Sequence, residues 1–275
     1  MILTIAHETV YRYDLPMRGV VQTHRLTPAK CESQSALSWD VTVTANEGAR
    51  VVPGGGFRDG AGDWVQGCTI IGPATEVVVS VTGQVETRDM AGVLRGHRER
   101  IPPEAYLRPT PATVSDVAIH ELAQTARAGL DAPLEHAHAL ARAVQAAVVY
   151  TAGVTEAHTT AAETLALGEG VCQDHAHVLI AAARCLDMPA RYVSGYLQAS
   201  EEGSPHEASH AWVEIWVQGL GWVGFDASNG VCTDDRYVRL GSGRDAREAA
   251  PIRGIARGPG SEHLDVTVAV ELVQQ

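Results

Sequence analysis

Apolar and polar residues alternate along much of the first hundred residues. The segments that carry this alternation, or short apolar runs bounded by turn residues, are 3–7, 37–43, 69–71 and 76–81. Patterns of this kind predict short antiparallel strands, and the glycine-rich segment 53–56 predicts a turn between two of them. We therefore expect residues 1–100 to form an antiparallel β-sandwich domain.

The period of the apolar residues changes after a proline-containing stretch, residues 89–112, which is the best candidate for a linker. Helical spacing and suitable capping residues follow, with Ser115 as the first expected cap and Gly168 as a stop. The four predicted helices are 115–128, 133–149, 160–168 and 172–186. In the last of these, the apolar residues fall on a single stripe.

Alternation returns after the last predicted helix, at residues 191–197, 211–217 and 222–225, with a further valine-rich strand at 264–272. Helices followed by strands predict the α+β class, with helices packed on an antiparallel sheet. We therefore expect a second domain over residues 101–275, and we assign the C-terminal strand to it.

Composition and charge restrict where the protein works and what it binds. The 275 residues carry a net charge of −12, and Lys30 is the single lysine. A surface that binds nucleic acid or anionic lipid needs clustered basic residues, so we expect neither partner. The chain lacks a visible targeting signal or a membrane-length apolar run, and its five cysteines show no paired spacing. We expect a cytoplasmic protein with free thiols.

Cys172 is the candidate nucleophile. It begins a predicted helix, directly after two glycines at positions 168 and 170 that leave room for a substrate backbone. The unpaired N–H groups and the dipole at a helix N-terminus both favour the thiolate form of a cysteine. A buried structural cysteine at a turn is the alternative.

His210 and Asp226 are the candidate base and orienting group. His210 begins one predicted strand and Asp226 ends the next, across a turn at residues 219–221. In such a hairpin residue 212 faces residue 226, so His210 and Asp226 lie near the same end. A nucleophile, a base and a carboxylate in this arrangement predict covalent acyl transfer.

Two possible metal sites are alternatives to the prediction of covalent acyl transfer. His206-Glu207-Ala208-Ser209-His210 matches the HExxH pattern of zinc hydrolases, but that chemistry requires a helix. On an extended chain four residues span about 13 Å, whereas two ligands of one zinc ion lie about 4 Å apart. Cys172, His175 and His177 could also share a metal, although no further ligand pair completes a tetrahedral set.

These residues also carry a resemblance to a known family. Residues 168–177 (GEGVCQDHAH), 210–216 (HAWVEIW) and 221–230 (GWVGFDASNG) resemble the cysteine, histidine and aspartate motifs of the bacterial transglutaminase-like proteins, often described as cysteine proteases. Residues 7–14 (HETVYRYD) and 25–28 (RLTP) resemble the β-rich N-terminal region that accompanies this core. The resemblance spans nearly the whole chain.

The resemblance implies a papain-like transglutaminase core with a catalytic triad of Cys172, His210 and Asp226. It departs from the family at His175, where an aromatic residue is usual, and at Ala227-Ser228, which replaces Pro-Thr. The further residues expected to bind substrate or support the triad are Tyr150, Gly170, Gln173, Asp174, His175 and Trp212.

Together these features predict a cysteine peptidase, amidase or transglutaminase-like enzyme that works through a thioester on Cys172. The expected substrate is a peptide, a protein or a small amide, with no cofactor and no metal. A zinc hydrolase built on His206 and His210, and a non-catalytic binding module on the same fold, are the alternatives.

Overall fold

A computed structural model describes residues 1–198 and 209–273. The strands within these ranges are β1 Ile2–His24, β2 Gln34–Ala45, β3 Arg50–Arg58, β4 Trp64–Thr87, β5 Val149–Tyr150, β6 Glu169–Gly170, β7 Ala190–Leu197, β8 Ser209–Val217, β9 Gly221–Asp226, β10 Val231–Cys232, β11 Tyr237–Gly243, β12 Ile252–Arg257 and β13 Glu262–Leu272. The α-helices are α1 Val117–Arg127, α2 Pro133–Ala147, α3 Ala161–Leu167 and α4 Cys172–Arg184. Two short 3₁₀ turns, Pro103–Leu107 and Pro111–Thr113, precede α1.

The N-terminal sheet is built on two long antiparallel strands, β1 and β4. Their register shifts between Arg12 and Gly19, which divides the sheet into two halves. One half adds β2 and β13, and the other adds β3 and β12. Inward-facing residues of both halves, such as Leu3 and Ile70, belong to one buried cluster. The expected sandwich is therefore made by one continuous sheet that contributes both layers.

Two features of this sheet differ from expectation. The strand predicted at residues 264–272 forms as β13, but it pairs with β1 and not with the strands of the second domain. Alternation specifies a strand and its faces but not its partner, so the sequence left this pairing open. Residues 53–56 lie within β3 and form no turn; a register shift between Pro53 and Gly56 accommodates the proline at this irregularity.

The second sheet is antiparallel, in the order β10-β9-β8-β7-β11. α4 packs against its central strands β7 and β8, and α1, α2 and α3 surround α4. Ten consecutive residues of α4, positions 174–183, are buried, where a single apolar stripe was expected. Alanines at positions 176 and 181–183 allow the close approach of neighbouring elements on all sides.

Capping residues set the helix boundaries. The Asp116 side chain accepts a hydrogen bond from the Ile119 N–H, so Asp116 caps α1 in place of the expected Ser115. Thr160 and Glu163 form a capping box at the start of α3, and Gly168 ends it in the left-handed conformation. None of the helices in the described ranges is long and apolar enough to cross a membrane.

A buried network of charges joins the sandwich to the second sheet. Arg191 of β7 donates to Glu214 and Glu99, and Arg239 of β11 donates to Glu214 and to Asp63 of the sandwich. The Arg191 guanidinium also lies over the Trp222 ring, 4.0 Å from its centroid. Because Glu99 belongs to residues 89–112, the predicted linker packs into the junction between the two units.

Candidate active site

Cys172 lies where a short parallel strand pair meets the start of α4. Tyr150 of β5 pairs with Gly170 of β6, and the Thr151 N–H donates to the Gly170 carbonyl at 2.9 Å. Cys172 follows two residues later as the first residue of α4, and it is partly exposed. The thiol therefore stands at the N-terminal end of a helix that is otherwise enclosed.

Asp174 fixes this helix start. Its Oδ2 accepts from the Val171 N–H at 2.9 Å and from the Thr155 hydroxyl at 2.6 Å. Gly170 is required beside it, because a Cβ at that position would come within 2.7 Å of the Asp174 Cβ. Asp174 and Gly170, both predicted near the nucleophile, thus shape the chain that presents Cys172.

His210 and Asp226 are in hydrogen-bond contact at one end of the β8–β9 hairpin. The ladder pairs Val213 with Phe225 and Ile215 with Val223, which is the register that the sequence predicts. His210 Nε2 lies 2.6 Å from Asp226 Oδ2. Cys172 lies near enough to His210 to raise the pKa of its imidazole, together with Asp226.

Asp226 is completely buried and receives six hydrogen bonds. Oδ1 accepts from the backbone N–H and the hydroxyl of Ser228 and from the Asn229 N–H. Oδ2 accepts from His210, from Asn229 Nδ2 at 2.7 Å and from the Tyr237 hydroxyl at 2.8 Å. Ser228 therefore supplies two donors, although it departs from the family's usual threonine.

The electrostatics of the pair follow from these contacts. Burial lowers the pKa of His210, but hydrogen bonds and charge from Asp226 and Cys172 outweigh it and raise that pKa to about 10. Burial raises the pKa of Asp226, but the donors and the positive charge of His210 hold it well below its ordinary value. At neutral pH the pair is therefore an imidazolium and a carboxylate.

Tyr150 and His175 form a wall beside the helix start. Their rings stack at 6.3 Å between centroids, and Tyr150 is 44% exposed. The buried His175 places Nδ1 2.9 Å from the Val171 carbonyl oxygen and Nε2 2.9 Å from the Val148 carbonyl oxygen. His175 thereby links α4 to the segment that carries Tyr150, a polar bridge that an aromatic residue at this position would not make.

Gln173 and Trp212 have different surroundings. The Gln173 side chain donates to the Ala157 carbonyl at 3.4 Å, within the loop before α3. Trp212 is buried and packs edge-on against the Tyr237 ring, with 5.4 Å between centroids. Gln173 thus lies at the helix start, and Trp212 lies on the same strand as His210, two residues further along.

The alternative metal sites gain no support from the described residues. His206, Glu207 and Ala208 of the HExxH match lie outside them, while His210 lies in a strand and its Nε2 is engaged by Asp226. His177 Nε2 accepts from the Ala246 N–H. Across residues 1–198 and 209–273, no group of three or more histidine, cysteine or acidic side chains is arranged to hold a metal ion.

Sequence comparison now assigns the family. Residues 120–227 match the model of the transglutaminase-like superfamily, and residues 3–86 match that of the bacterial transglutaminase-like N-terminal region. The chain is also 30% identical over 287 residues to the uncharacterized protein ML0607 of Mycobacterium leprae, an alignment that covers 98% of each chain. The chain belongs to the transglutaminase-like superfamily. Cys172, His210 and Asp226 all lie within the matched core.

Other relatives of this transglutaminase-like chain agree with that assignment. The uncharacterized protein Rv2569c of Mycobacterium tuberculosis is 36% identical over 143 residues, which are 49% of this chain and 45% of the relative. The crystal structure of a "putative cysteine protease" from Cytophaga hutchinsonii superposes with a TM-score of 0.75 at 24% identity, covering 100% of this chain and 92% of the other. That likeness confirms the papain-like α+β fold.

Sequence reasoning missed two donors to Asp226, Asn229 and Tyr237, of which Tyr237 comes from a distant strand. Tyr237 lies on β11, eleven positions after Asp226, and its hydroxyl donates to the carboxylate. No spacing rule connects a strand residue to a carboxylate on a non-adjacent strand. Only the sheet order, in which the chain crosses from β10 to the far side of β7, brings the two together.

Proposed function

We propose that the protein is a thiol-dependent acyl-transfer enzyme that cleaves or transfers amide or peptide bonds through a thioester on Cys172. The observation that carries the proposal is the buried His210–Asp226 pair, which lies close to a cysteine at a helix N-terminus. A cysteine, a histidine and a carboxylate with these contacts form the arrangement that nucleophilic catalysis requires.

The reaction runs in two halves. With the proton on His210 Nδ1, the Cys172 thiolate attacks the substrate carbonyl carbon and a C–S bond forms. The imidazolium then gives its proton to the leaving nitrogen, the C–N bond breaks, and an amine or ammonia departs from the thioester. Water or a second amine next attacks the thioester while His210 takes its proton, and the C–S bond breaks as the thiolate reforms.

Two donors are proposed for the oxyanion that forms in each half. The Cys172 backbone N–H lies in the first turn of α4, where helical N–H groups lack partners within the helix. The Tyr150 side chain is proposed as the second donor, because its ring is 44% exposed beside the helix start and stacks on His175. Donors aimed at the developing negative charge stabilise the tetrahedral species.

The substrate class is a peptide, a protein or a small amide, since each offers the carbonyl and nitrogen that the reaction needs. The five cysteines are all free thiols, which supports a reducing, cytoplasmic setting. The acceptor of the acyl group, water or an amine, decides between hydrolysis and transfer.

Trapping of the thioester tests the proposal. The purified protein is incubated with an activated acyl probe, such as the p-nitrophenyl ester of a blocked amino acid, and acid-quenched samples are analysed by mass spectrometry. We expect a hydroxylamine-labile acyl group on Cys172 in the wild type and none in Cys172→Ala. The variant should keep its circular dichroism spectrum, because a partly exposed thiol adds little to stability.

Cys185→Ala is the matched control. Cys185 is a free thiol just beyond the other end of α4, where burial raises its pKa. Labelling of Cys172 should persist in this variant. Equal acylation of Cys172→Ala and the wild type would refute the assignment of the nucleophile. Addition of an amine such as glycine ethyl ester then separates the two outcomes, since transfer yields an amide product and hydrolysis does not.

A further inference from the structure

The Tyr237 hydroxyl is a part of the site that the reaction scheme above does not use. It lies 2.8 Å from Asp226 Oδ2, the same oxygen that binds His210 Nε2. The Tyr237 ring is also 5.4 Å from Trp212 and 6.2 Å from His210, measured between centroids. Tyr237 therefore contacts the carboxylate directly and the histidine through its ring.

The three donors to Oδ2 come from different places. Asn229 belongs to the turn directly after Asp226, and His210 belongs to the adjacent strand β8. Tyr237 comes from β11, which pairs with β7 on the opposite side of β8. The Tyr237 hydrogen bond therefore reaches across the sheet to the carboxylate.

A carboxylate oxygen that accepts several hydrogen bonds holds each of them less strongly. The phenolic proton points at the oxygen that His210 also uses, so its positive end opposes the attraction between the carboxylate and the imidazolium. Burial raises the pKa of Tyr237, and the charge of Asp226 raises it further, so this hydroxyl remains a donor throughout the working pH range.

We propose that Tyr237 is a positioning residue that shares Asp226 Oδ2 with His210 and so limits how tightly the imidazolium holds its proton. This inference rests on the proposed function, in which His210 must give that proton to the leaving nitrogen. A histidine paired with an unshared carboxylate would be a weaker acid and would protonate the leaving group more slowly.

The charged and titratable groups around the pair are few among the described residues. Cys172 of α4 faces His210 from one side. Tyr237 of β11 faces Asp226 from the other, with Arg236 and Asp234 beyond it. Arg236 and Asp234 bind each other, so their charges largely cancel at the pair. Removal of the Tyr237 hydroxyl therefore alters the field at His210 without removing a full charge.

The test uses Tyr237→Phe in the full chain and follows Cys172 alkylation by iodoacetamide between pH 6 and pH 10.5. Loss of the His210 proton changes the charge beside the Cys172 sulfur and therefore the alkylation rate, which gives an upper inflection. We expect this inflection to move to higher pH by about half a unit, because the imidazolium gains stability when the hydroxyl is gone. The p-nitrophenyl ester should acylate Cys172 at the wild-type rate in this variant. Amide substrates should be turned over about two- to fivefold more slowly than by the wild type.

Tyr196→Phe is the matched control. Tyr196 lies on β7 and pairs with Val238 beside Tyr237. Its buried hydroxyl lies 2.8 Å from His7 Nδ1, a contact that does not involve Asp226. This variant should keep the wild-type inflection, although it also loses a buried hydrogen bond. An unchanged or lowered inflection in Tyr237→Phe, or the same shift in both variants, would overturn the inference.

The two proposals fail in different ways. If no acyl probe forms a thioester on Cys172, the proposed function is wrong, yet the alkylation profile still measures the effect of Tyr237 on His210. If the thioester forms but the inflection does not rise in Tyr237→Phe, the inference is wrong and the function stands. Thermal unfolding of each variant shows that the comparison is made between folded proteins.

Discussion

At the scale of single residues, the site depends on one carboxylate that is charged although it is wholly buried. Asp226 stays ionised because six donors and the His210 charge compensate for its lost hydration. The raised pKa of His210 stabilises the fold fully below pH 6.5 and loses that effect as pH rises towards 10. The lowered pKa of Asp226 stabilises the fold above pH 3.8 and loses that effect in stronger acid.

Asp226→Asn tests this dependence of stability on pH. The variant leaves the histidine without its counter-charge, so we expect a loss of about 3 kcal/mol in unfolding free energy near pH 6. The difference from the wild type should shrink between pH 6.5 and pH 10, where the His210 contribution disappears. Urea unfolding of both proteins at pH 6 and pH 9.5 measures this difference in unfolding free energy.

Ser228→Ala is the companion variant, because it removes the hydroxyl donor to Oδ1 but keeps the charge pair. Its cost should be small and nearly independent of pH. A gap between Asp226→Asn and the wild type that stays constant from pH 6 to pH 9.5 would contradict the ion pair.

The main site residues could be predicted from the sequence because their spacing follows from local structure. The residues that support them could not be predicted in this way. Cys172 stands at a helix start, and the His210–Asp226 hairpin has a short turn that fixes its register. The roles assigned to these residues remain predictions, while their spacing follows from local structure. Tyr237 and the His175 bridge depend on contacts between distant elements, which no local pattern reports.

At the scale of elements, α4 and the strand before it act together. The helix begins where Gly170 lets the Asp174 side chain turn back to the Val171 N–H. Burial of positions 174–183 on all sides leaves α4 no freedom to rotate when that start is disturbed. The sequence predicted the helix start correctly, but it predicted one buried face because it could not count the elements that surround α4.

Gly170→Ala follows from this arrangement. The added methyl group would lie 2.7 Å from the Asp174 Cβ and 2.9 Å from its Oδ2, so Asp174 must move and release the Val171 N–H. We expect a loss of about 1–3 kcal/mol in stability and a slower alkylation of Cys172. Urea unfolding and iodoacetamide kinetics measure the two effects.

Gly55→Ala serves as its reference, because a Cβ at Gly55 meets no other atom within 4 Å. That variant should alkylate at the wild-type rate. Wild-type behaviour of Gly170→Ala in both measurements would show that the helix start tolerates the displacement of Asp174.

At the scale of the whole molecule, buried charges hold the sandwich against the second sheet. Asp63, which is completely buried, binds Arg239 and also accepts from the Ser242 N–H and hydroxyl. Arg239 and Arg191 share Glu214 on β8, the strand that begins with the histidine segment. The position of His210 therefore depends partly on contacts that the N-terminal domain completes. A division into domains near residue 100 stays a prediction.

Asp63→Asn should weaken this junction. Arg239 would lose one of its two carboxylates and keep only Glu214, which it shares with Arg191, so we expect about 3 kcal/mol of destabilisation. Tryptophan fluorescence follows urea unfolding in both units, since Trp39 and Trp64 lie in the sandwich and Trp212 lies in the second sheet.

Glu76→Gln gives the comparison at the surface. Glu76 pairs with Arg12, and both side chains are about half exposed, at 44% and 52%. Its loss should cost less than about 1 kcal/mol. If Asp63→Asn cost no more than Glu76→Gln, the buried network would add nothing to the attachment of the two units.

The pairing of β1 with β12 and β13 has a consequence for biosynthesis. β1 is translated well before β12 and β13, so one of its edges has no partner until residues 252–272 have been added. At about 5–20 residues per second, the delay is on the order of ten to fifty seconds. During that time a long strand edge stands open to wrong partners. The N-terminal sheet is therefore completed only after the second sheet has been translated, and its open edge is exposed to aggregation in the meantime.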